Sequence, residues 1–345
     1  MKSRNISLIV LIVLLVLCVT SAFPQMIRRV NNNPGVVGAN IYSTIQAAHD
    51  AAANGDIIYL EHSTTAYGGL NCTKLLKIYG PGYLLDENAV DASTFAPQVS
   101  GITFSTGSAG SSITGFQVNG FVDVHASDIT ISRMRVTGSV VISAMYYGAP
   151  LSNFTVEQTY MDGQGGAASY IASNTTATVS NVIFQNNQAA GGILVTKSTT
   201  NVLVKNNTIQ ALLPVSGIEK EIWNTLFENN IIIGNADVTF QNCVIKNNVA
   251  GGTGLPANVA NQNSVVLVNE FKNPGDVGEK RCILKDTSPL KTAGSAGTEV
   301  GAFGGDKPYR LAGQPPIPVI SKFLTSPSGS NTTPLSVTIS TKSNN

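Results

Sequence analysis

The sequence predicts an all-β chain wound into a parallel β-helix, with a short capping helix at its N-terminal end. The first observation is a repeat. Val182-Ile-Phe-Gln-Asn-Asn187, Val202-Leu-Val-Lys-Asn-Asn207, Thr225-Leu-Phe-Glu-Asn-Asn230 and Cys243-Val-Ile-Lys-Asn-Asn248 share one pattern. The first Asn of each pair falls at 186, 206, 229 and 247, in steps of 20, 23 and 18 residues. A self-similar period of this length marks a stacked coil. The second observation is alternation. Val182 and Phe184, Val202 and Val204, Thr225 and Phe227, and Cys243 and Ile245 sit two apart, which places each pair on one face of a strand. The third is that no helical periodicity separates the units, so each strand is expected to pair with its equivalent in the next coil. The competing fold, a sandwich of antiparallel hairpins, does not explain equivalent bends at one period.

Each unit reads as strand, bend, strand. Asn tolerates left-handed backbone and bonds to nearby backbone groups, and stacked amides bond to one another along a ladder. Ala189, Ile209, Ile232 and Ala250 follow the bends as small or apolar residues of a second strand. Weaker copies lie upstream. Ile129–Arg133 and Phe154–Gln158 fit with the Asn replaced. Lys74–Gly80 and Ser111–Gly115 fit with Gly at the bend, a residue that accepts positive φ. About eight coils result, with Asp86–Gln98 and Asp162–Asn174 as loop-like insertions.

Taken from the N-terminus, residues 1–22 read as a cleavable signal peptide. Lys2 and Arg4 precede an apolar run from Ile6 to Val19, and Thr20-Ser21-Ala22 supplies small residues for cleavage. The run is too short for a comfortable membrane span, and Leu17 before Cys18 argues against a lipid-modified cysteine. The expected localisation is therefore secreted or cell surface, with no transmembrane segment in the mature chain. Removing Lys2 and Arg4 from 21 Lys+Arg leaves 19 against 20 Asp+Glu. This near-neutral balance excludes an electrostatic case for nucleic acid.

Residues 23–313 form the predicted β-helix and its cap. Ser43 is the expected helix N-cap with Gln46 as its box partner. Ile45, Ala48 and Ala52 make the apolar stripe, and His49 is expected at the surface or boundary. This helix is assigned to cover the open end of the coil stack. Three cysteines remain after the signal, Cys72, Cys243 and Cys282, an odd number that excludes full pairing within one chain. Cys243 reads as a small core hydrophobe. Residues 314–345 are a linker, Gln314-Pro-Pro-Ile-Pro318, and a tail with strands Val319–Phe323 and Leu335–Thr341.

Tyr42-Ser-Thr-Ile-Gln-Ala-Ala48, Gly55-Asp-Ile-Ile-Tyr-Leu60 and Leu76-Lys-Ile-Tyr-Gly-Pro-Gly82 together resemble the opening of secreted bacterial pectin-lyase-like right-handed parallel β-helix proteins. Ser288-Pro-Leu-Lys291 and Gly301-Ala-Phe-Gly304 are similar to the closing segment of such chains. The resemblance implies right-handedness and a fold that hosts lyases, hydrolases, epimerases, adhesins and ice binders alike. It also implies where enzymes of this type would carry chemistry: calcium-binding carboxylates with an Arg or Lys base in lyases, clustered Asp in hydrolases.

Neither set stands out here. The best local group is Asp123, His125, Asp128, Arg133 and Arg135, with Glu157, Tyr160 and Asp162 one coil on. Arg133, Arg135, Glu157 and Asp162 are the candidate catalytic residues, because guanidinium pairs a substrate carboxylate and carboxylates serve as acid or base. Asp123, His125, Tyr146, Tyr147 and Tyr160 are the candidate binding residues, the tyrosines as platforms for sugar rings. The plainer alternative is a solvated polar face with cross-coil ion pairs. A second column, Ser132, Glu157, Gln185, Lys205, Glu228 and Lys246, is expected to stack outward and stabilise the face. An ice-binding reading wants a long Thr ladder, which the aligned columns do not supply. No cofactor is expected, calcium entering only as an option of the lyase reading. The expected function is that of an exported, non-catalytic β-helix binding a polysaccharide or cell-surface glycan. The alternative is a polysaccharide lyase or glycoside hydrolase with an atypical site.

Overall fold

The computed structural model describes residues 25–343 except 89–92, 145–148, 163–168, 173–176, 196–197, 211–220, 258–259 and 277. The expected signal peptide and Tyr146 and Tyr147 lie outside the described residues. The fold is a parallel β-helix. Its long sheet has 11 strands, and two further sheets have 8 each. Eight long-sheet strands are those of the repeat, from Lys77–Tyr79 through Ser112–Thr114, Ile129–Ser132 and Leu151–Glu157 to Val244–Lys246. Tyr79, Thr114, Ser132, Glu157, Gln185, Lys205, Glu228 and Lys246 pair in one unbroken register. Three more strands, Ile57–Leu60, Ile27–Val30 and Ile41–Tyr42, extend this sheet at the N-terminal end.

After the bend each coil enters a short sheet of two-residue strands, among them Arg135–Val136, Tyr160–Met161, Gln188–Ala189 and Thr208–Ile209. A third sheet, which sequence periodicity did not reveal, closes the coil with strands such as Val122–Val124 and Val140–Ser143. One of its strands, Ser169–Ala172, lies inside the stretch expected to be a loop-like insertion. The core runs down the axis. Val182, Phe184, Val202, Val204 and Phe227 point into it from the long sheet, and Ala189, Ile209 and Ile232 from the short one.

The Asn pairs do two different jobs. The first residue of each bend takes left-handed backbone: Arg133, Gln158, Asn186, Asn206, Asn229 and Asn247 all have φ between 51 and 57°. The second Asn turns inward and builds a buried ladder. The Asn187 amide nitrogen donates to Asn207 Oδ1 at 3.0 Å, Asn207 to Asn230 at 3.0 Å, and Asn230 to Asn248 at 3.0 Å. Each backbone N–H donates to the same oxygen at 2.9 Å. Each amide also donates back to a carbonyl one coil earlier, as Asn207 does to Phe184 at 2.9 Å. Thr159 begins the ladder and Asn261 ends it. Upstream, the inward positions carry buried Met134 and Phe116, so apolar packing replaces amide bonding.

Gly115 conforms to expectation, with φ 81° at the bend. Gly80 differs. Its φ is not in the left-handed region, and glycine is required there because a Cβ would fall 2.5 Å from the Gly115 carbonyl oxygen.

The capping helix, α1, spans Ile45–Ala51. Its N-cap is Thr44, one residue later than expected, with the Thr44 hydroxyl accepting from Ala47 N at 3.2 Å. Gln46 instead accepts from Asn71 N and donates to Asp50. His49 is buried, not at the surface: Thr73 N donates to its Nε2 at 3.0 Å, which leaves Nδ1 to donate to Asp50 at 2.9 Å. Lys74 closes the helix, donating to the carbonyls of His49, Asp50 and Ala52, where the helix dipole favours a cation. Cys72 and Cys282 are buried thiols and Cys243 packs against the core, all three free. No helix among the described residues is long and apolar enough to cross a membrane.

Beyond the last coil, residues 267–315 turn back and run along the outside of the bend column as a strap. Asn247 donates to Ala293 O, Asn206 to Glu299 O, Asn186 to Ala302 O and Gly304 O, Gln158 to Pro308 O, and Arg133 to Gln314 O. Asn229 Oδ1 accepts from Ser295 N. Gln314, the first residue of the expected linker, is thus docked and buried. Only past it does the chain leave the body, as an exposed antiparallel hairpin of Val319–Thr325 and Val337–Lys342.

The strap is pinned at its far end by Glu279, a buried carboxylate. It accepts from Tyr309 OH at 2.6 Å, Ala312 N at 2.8 Å and Asn88 Nδ2 at 2.7 Å, and Tyr309 in turn meets Tyr83 OH. Burial pushes its pKa above the ordinary 4.5, the three donors opposing.

Two predictions follow from this architecture. Asn207→Leu leaves the Asn187 donors and the Phe184 carbonyl unpaired in the core, and should cost about 2–3 kcal/mol. Asn206→Gly keeps the left-handed backbone and loses one strap bond, and should cost about 1 kcal/mol. Denaturation midpoints check the ranking. For Glu279, the folded state holds its proton more tightly than the unfolded chain. Stability is therefore full below the ordinary carboxyl value and falls as pH rises through the folded one. Melting temperature should decline over that window in the native chain, and Glu279→Gln should flatten the decline.

Candidate functional site

The sequence-predicted residues do not form one site. Asp123 and His125 both face outward from the third sheet. Burial pushes the Asp123 carboxyl up, with His125 opposing, and His125 Nδ1 lies 3.3 Å from Ser143 O. Arg133 and Arg135 are two apart but do not share a strand face. Arg133 occupies the bend itself and Arg135 opens a short-sheet strand.

Each of the four candidate catalytic side chains already has a structural partner. Arg133 Nε donates to Gln158 Oε1 at 2.8 Å, and Nη1 to the strap carbonyl of Gln314 at 2.8 Å. Burial, then Arg310 nearby, draw its pKa down. Glu157 accepts from Gln185 at 2.8 Å and pairs with Lys307 of the strap at 2.9 Å. Arg135 grips Asp162 Oδ2 with two nitrogens, at 3.0 and 2.7 Å, and Gln117 with a third. The Asp162 side chain is 8% exposed. The column Ser132 to Lys246 stacks as expected, but the strap crosses it. Glu228 is buried, pairing with Lys246 at 3.4 Å and accepting from Ser295.

The carboxylates do not fit calcium. Glu157 and Asp162 are each neutralised by a cation, and among the described residues no three His, Cys, Asp or Glu side chains gather closely enough to hold a metal ion.

The structure offers two other surfaces. One is the outer face of the long sheet. At its entry corner Asp128, Asn153, Asn181, Asn201, Asn224 and Asn242 all have positive φ. Their side chains form a second, exposed amide ladder in two runs: Asn153 to Asp128 at 2.7 Å, Asn181 to Asn153 at 2.9 Å and Asn201 to Asn181 at 2.7 Å, then Asn242 to Asn224 at 2.6 Å, with Asn224 itself donating to Thr199 O at 2.7 Å. Beside it runs a column in continuous register, Thr130, Thr155, Ile183, Leu203, Leu226 and Val244. Ile183 and Val244 are 37% and 60% exposed. A depression of about 340 Å³ lies on this face, lined by Thr200, Asn201, Asn224, Leu226, Asn242 and Val244 among others. The sequence carried its signal. An Asn, or Asp128, stands five residues before every bend from 133 to 247.

The other surface is a cavity of about 370 Å³ between the short sheet and the strap, which Tyr160 lines with Gln210, Asp276 and Arg281. Of the candidate binding residues it gathers Tyr160 alone. No sequence signal marked Asp276 or Arg281, because they reach it from a strap without period.

No protein-family model matches the chain, and no curated protein or solved structure matches it either.

The roles of the two arginines differ in a testable way. Arg135→Ala leaves the Asp162 carboxylate buried without its cation and should cost about 2–4 kcal/mol. Arg133→Gly preserves the bend and gives up two partly exposed bonds, to Gln158 and to the strap carbonyl of Gln314. It should cost about 1 kcal/mol while exposing the segment near Gln314 to limited proteolysis. Equal midpoints for the two variants would contradict this assignment.

Proposed function

We propose that this chain is an exported, non-catalytic β-helix of the pectin-lyase-like type that binds a neutral polysaccharide or cell-surface glycan along its long sheet. The observation that carries the reading is the uncharged strip formed by the exposed amide ladder and the adjoining apolar column. Asn153, Asn181, Asn201 and Asn242 each give one N–H to the neighbouring side chain and keep a second N–H and a lone pair for a ligand hydroxyl. Ile183, Leu203, Leu226 and Val244 offer apolar surface to the C–H faces of sugar rings. Over the five coils from Asn153 to Asn242 the strip runs about 19 Å at the strand spacing, enough for several sugar units. The commitment of Arg133, Arg135, Glu157 and Asp162 to strap and coil contacts is why binding is preferred to cleavage. Export rests on the N-terminal apolar run, and the mature chain is proposed to begin near Phe23.

The experiment is a panel of cellulose, chitin, xylan and polygalacturonate, scored for retention and for released products. Retention on a neutral polymer without products is expected, and Val244→Asp with Asn242→Asp should weaken it by about tenfold, or 1.4 kcal/mol. Unsaturated or reducing products that vanish in the Arg133→Ala, Arg135→Ala double variant would replace this reading with the lyase or hydrolase one.

A further inference from the structure

The cavity of about 370 Å³ between the short sheet and the strap has two unlike walls. One is the outward face of the short sheet, where Tyr160, Gln188 and Thr208 pair in register and Gln210 stands two residues past Thr208. Alternation sends Met161, Ala189 and Ile209 into the core and these side chains outward. The other wall is strap, with Pro274, Asp276 and Arg281. Several polar groups here are not used by the fold. Gln188 is 4% exposed, and its amide nitrogen donates to Glu279 O at 2.7 Å. Its Oε1 has no partner among the described residues, and a buried acceptor left so calls for a donor. The Tyr160 hydroxyl, the Gln210 amide and the exposed Arg281 guanidinium also lack hydrogen-bond partners among the described residues. Asp276 is half-buried, accepts from Asn273 Nδ2 at 3.1 Å and is not paired with Arg281. Burial pushes the Tyr160 hydroxyl up, so it keeps its proton to donate. Burial also pushes the Cys282 thiol in this wall up to about 11, which leaves it a poor nucleophile and points to binding rather than chemistry.

We infer that this cavity binds a single sugar ring, held by Gln188, Tyr160, Gln210, Asp276 and Arg281, with its C–H face on Ala190, Ile233 and Pro274. The polar groups that converge there are mixed. Gln188 Oε1 and Asp276 accept, Arg281 donates, and Tyr160 and Gln210 do both. A hydroxyl donates and accepts, so a ring of hydroxyls answers all of them at once. A simple anion would pair with Arg281, but it would face Asp276 and bring no donor to Gln188 Oε1. A cavity of about 370 Å³ is at the small end for ligand pockets, which limits the occupant to about one ring. The site lies on a different sheet from the long-sheet strip, so the failure of either leaves the other standing.

The test is calorimetric titration of the mature chain with glucose, galactose, mannose and xylose, with cyclohexanol, serine and acetate as comparisons. At least one sugar should bind with a Kd on the order of 1 mM or below, and about tenfold more tightly than any comparison. Tyr160→Phe removes a hydroxyl that no described residue bonds, so the melting temperature should hold while affinity falls about fivefold. Arg281→Ala, at an exposed position, should weaken binding about tenfold with folding likewise intact. Asn242→Asp with Val244→Asp, on the long sheet, should leave this binding unchanged. Serine or acetate binding as tightly as the best sugar would mean a site for charge and overturn the inference. Cyclohexanol doing so would mean a merely apolar cavity, with the same result. Sugar binding that neither cavity variant alters, or that the long-sheet pair abolishes, would place the ligand elsewhere and overturn it too. Absence of binding by all four sugars overturns it outright.

Discussion

The buried asparagine ladder is the constraint on which the downstream half of the molecule depends. A β-helix turns its chain by bends whose inward backbone groups face the core, where unpaired donors and acceptors are costly. Asn187, Asn207, Asn230 and Asn248 solve this for four successive coils. The Asn187 oxygen takes the Thr159 N–H, each later oxygen takes two N–H groups from the coil before it, and each amide nitrogen reaches forward to the next oxygen and back to a core carbonyl. The ladder fixes which residues stack. A slip of one position would send Val202 and Val204 outward and leave the amides facing leucine.

The preceding residue of each pair follows from the same geometry. Turning one Asn inward forces its neighbour into left-handed backbone with its side chain outward. Those outward side chains then make a regular row of donors at coil spacing, and the strap supplies carbonyls to meet it. This explains why Arg133 and Gln158, which break the Asn pattern, still act within it: both reach strap carbonyls from the same bend position. Arg133 is the last rung of that docking row.

How much was legible in the sequence follows from what is periodic. The long sheet, the register, the stacked column and the interior ladder all repeat, and all were readable. The third sheet was not, because its strands are mostly three or four residues at changing distances from the bends. The strap was not, because it has no period and binds partners 46 to 226 residues away. His49 was misplaced because its burial depends on Thr73, which packs against α1 from a later coil. Half of the candidate site suffered likewise. Pairwise spacing placed Arg135, Tyr160 and Asp162 correctly one coil apart, but could not show that Arg135 and Asp162 neutralise each other.

The same periodicity argues for where a ligand meets the molecule. Ladder steps vary, at 20, 23 and 18 residues. Yet the two left-handed corners that bound the long-sheet segment stay five residues apart in every coil from Asp128 and Arg133 to Asn242 and Asn247. All variation in coil length therefore falls outside this segment, in the short and third sheets and their connections. A face that keeps its length while the rest of the coil does not is flat and in register by construction. Such a face has the regularity that the proposed ligand, itself a repeating polymer, would require.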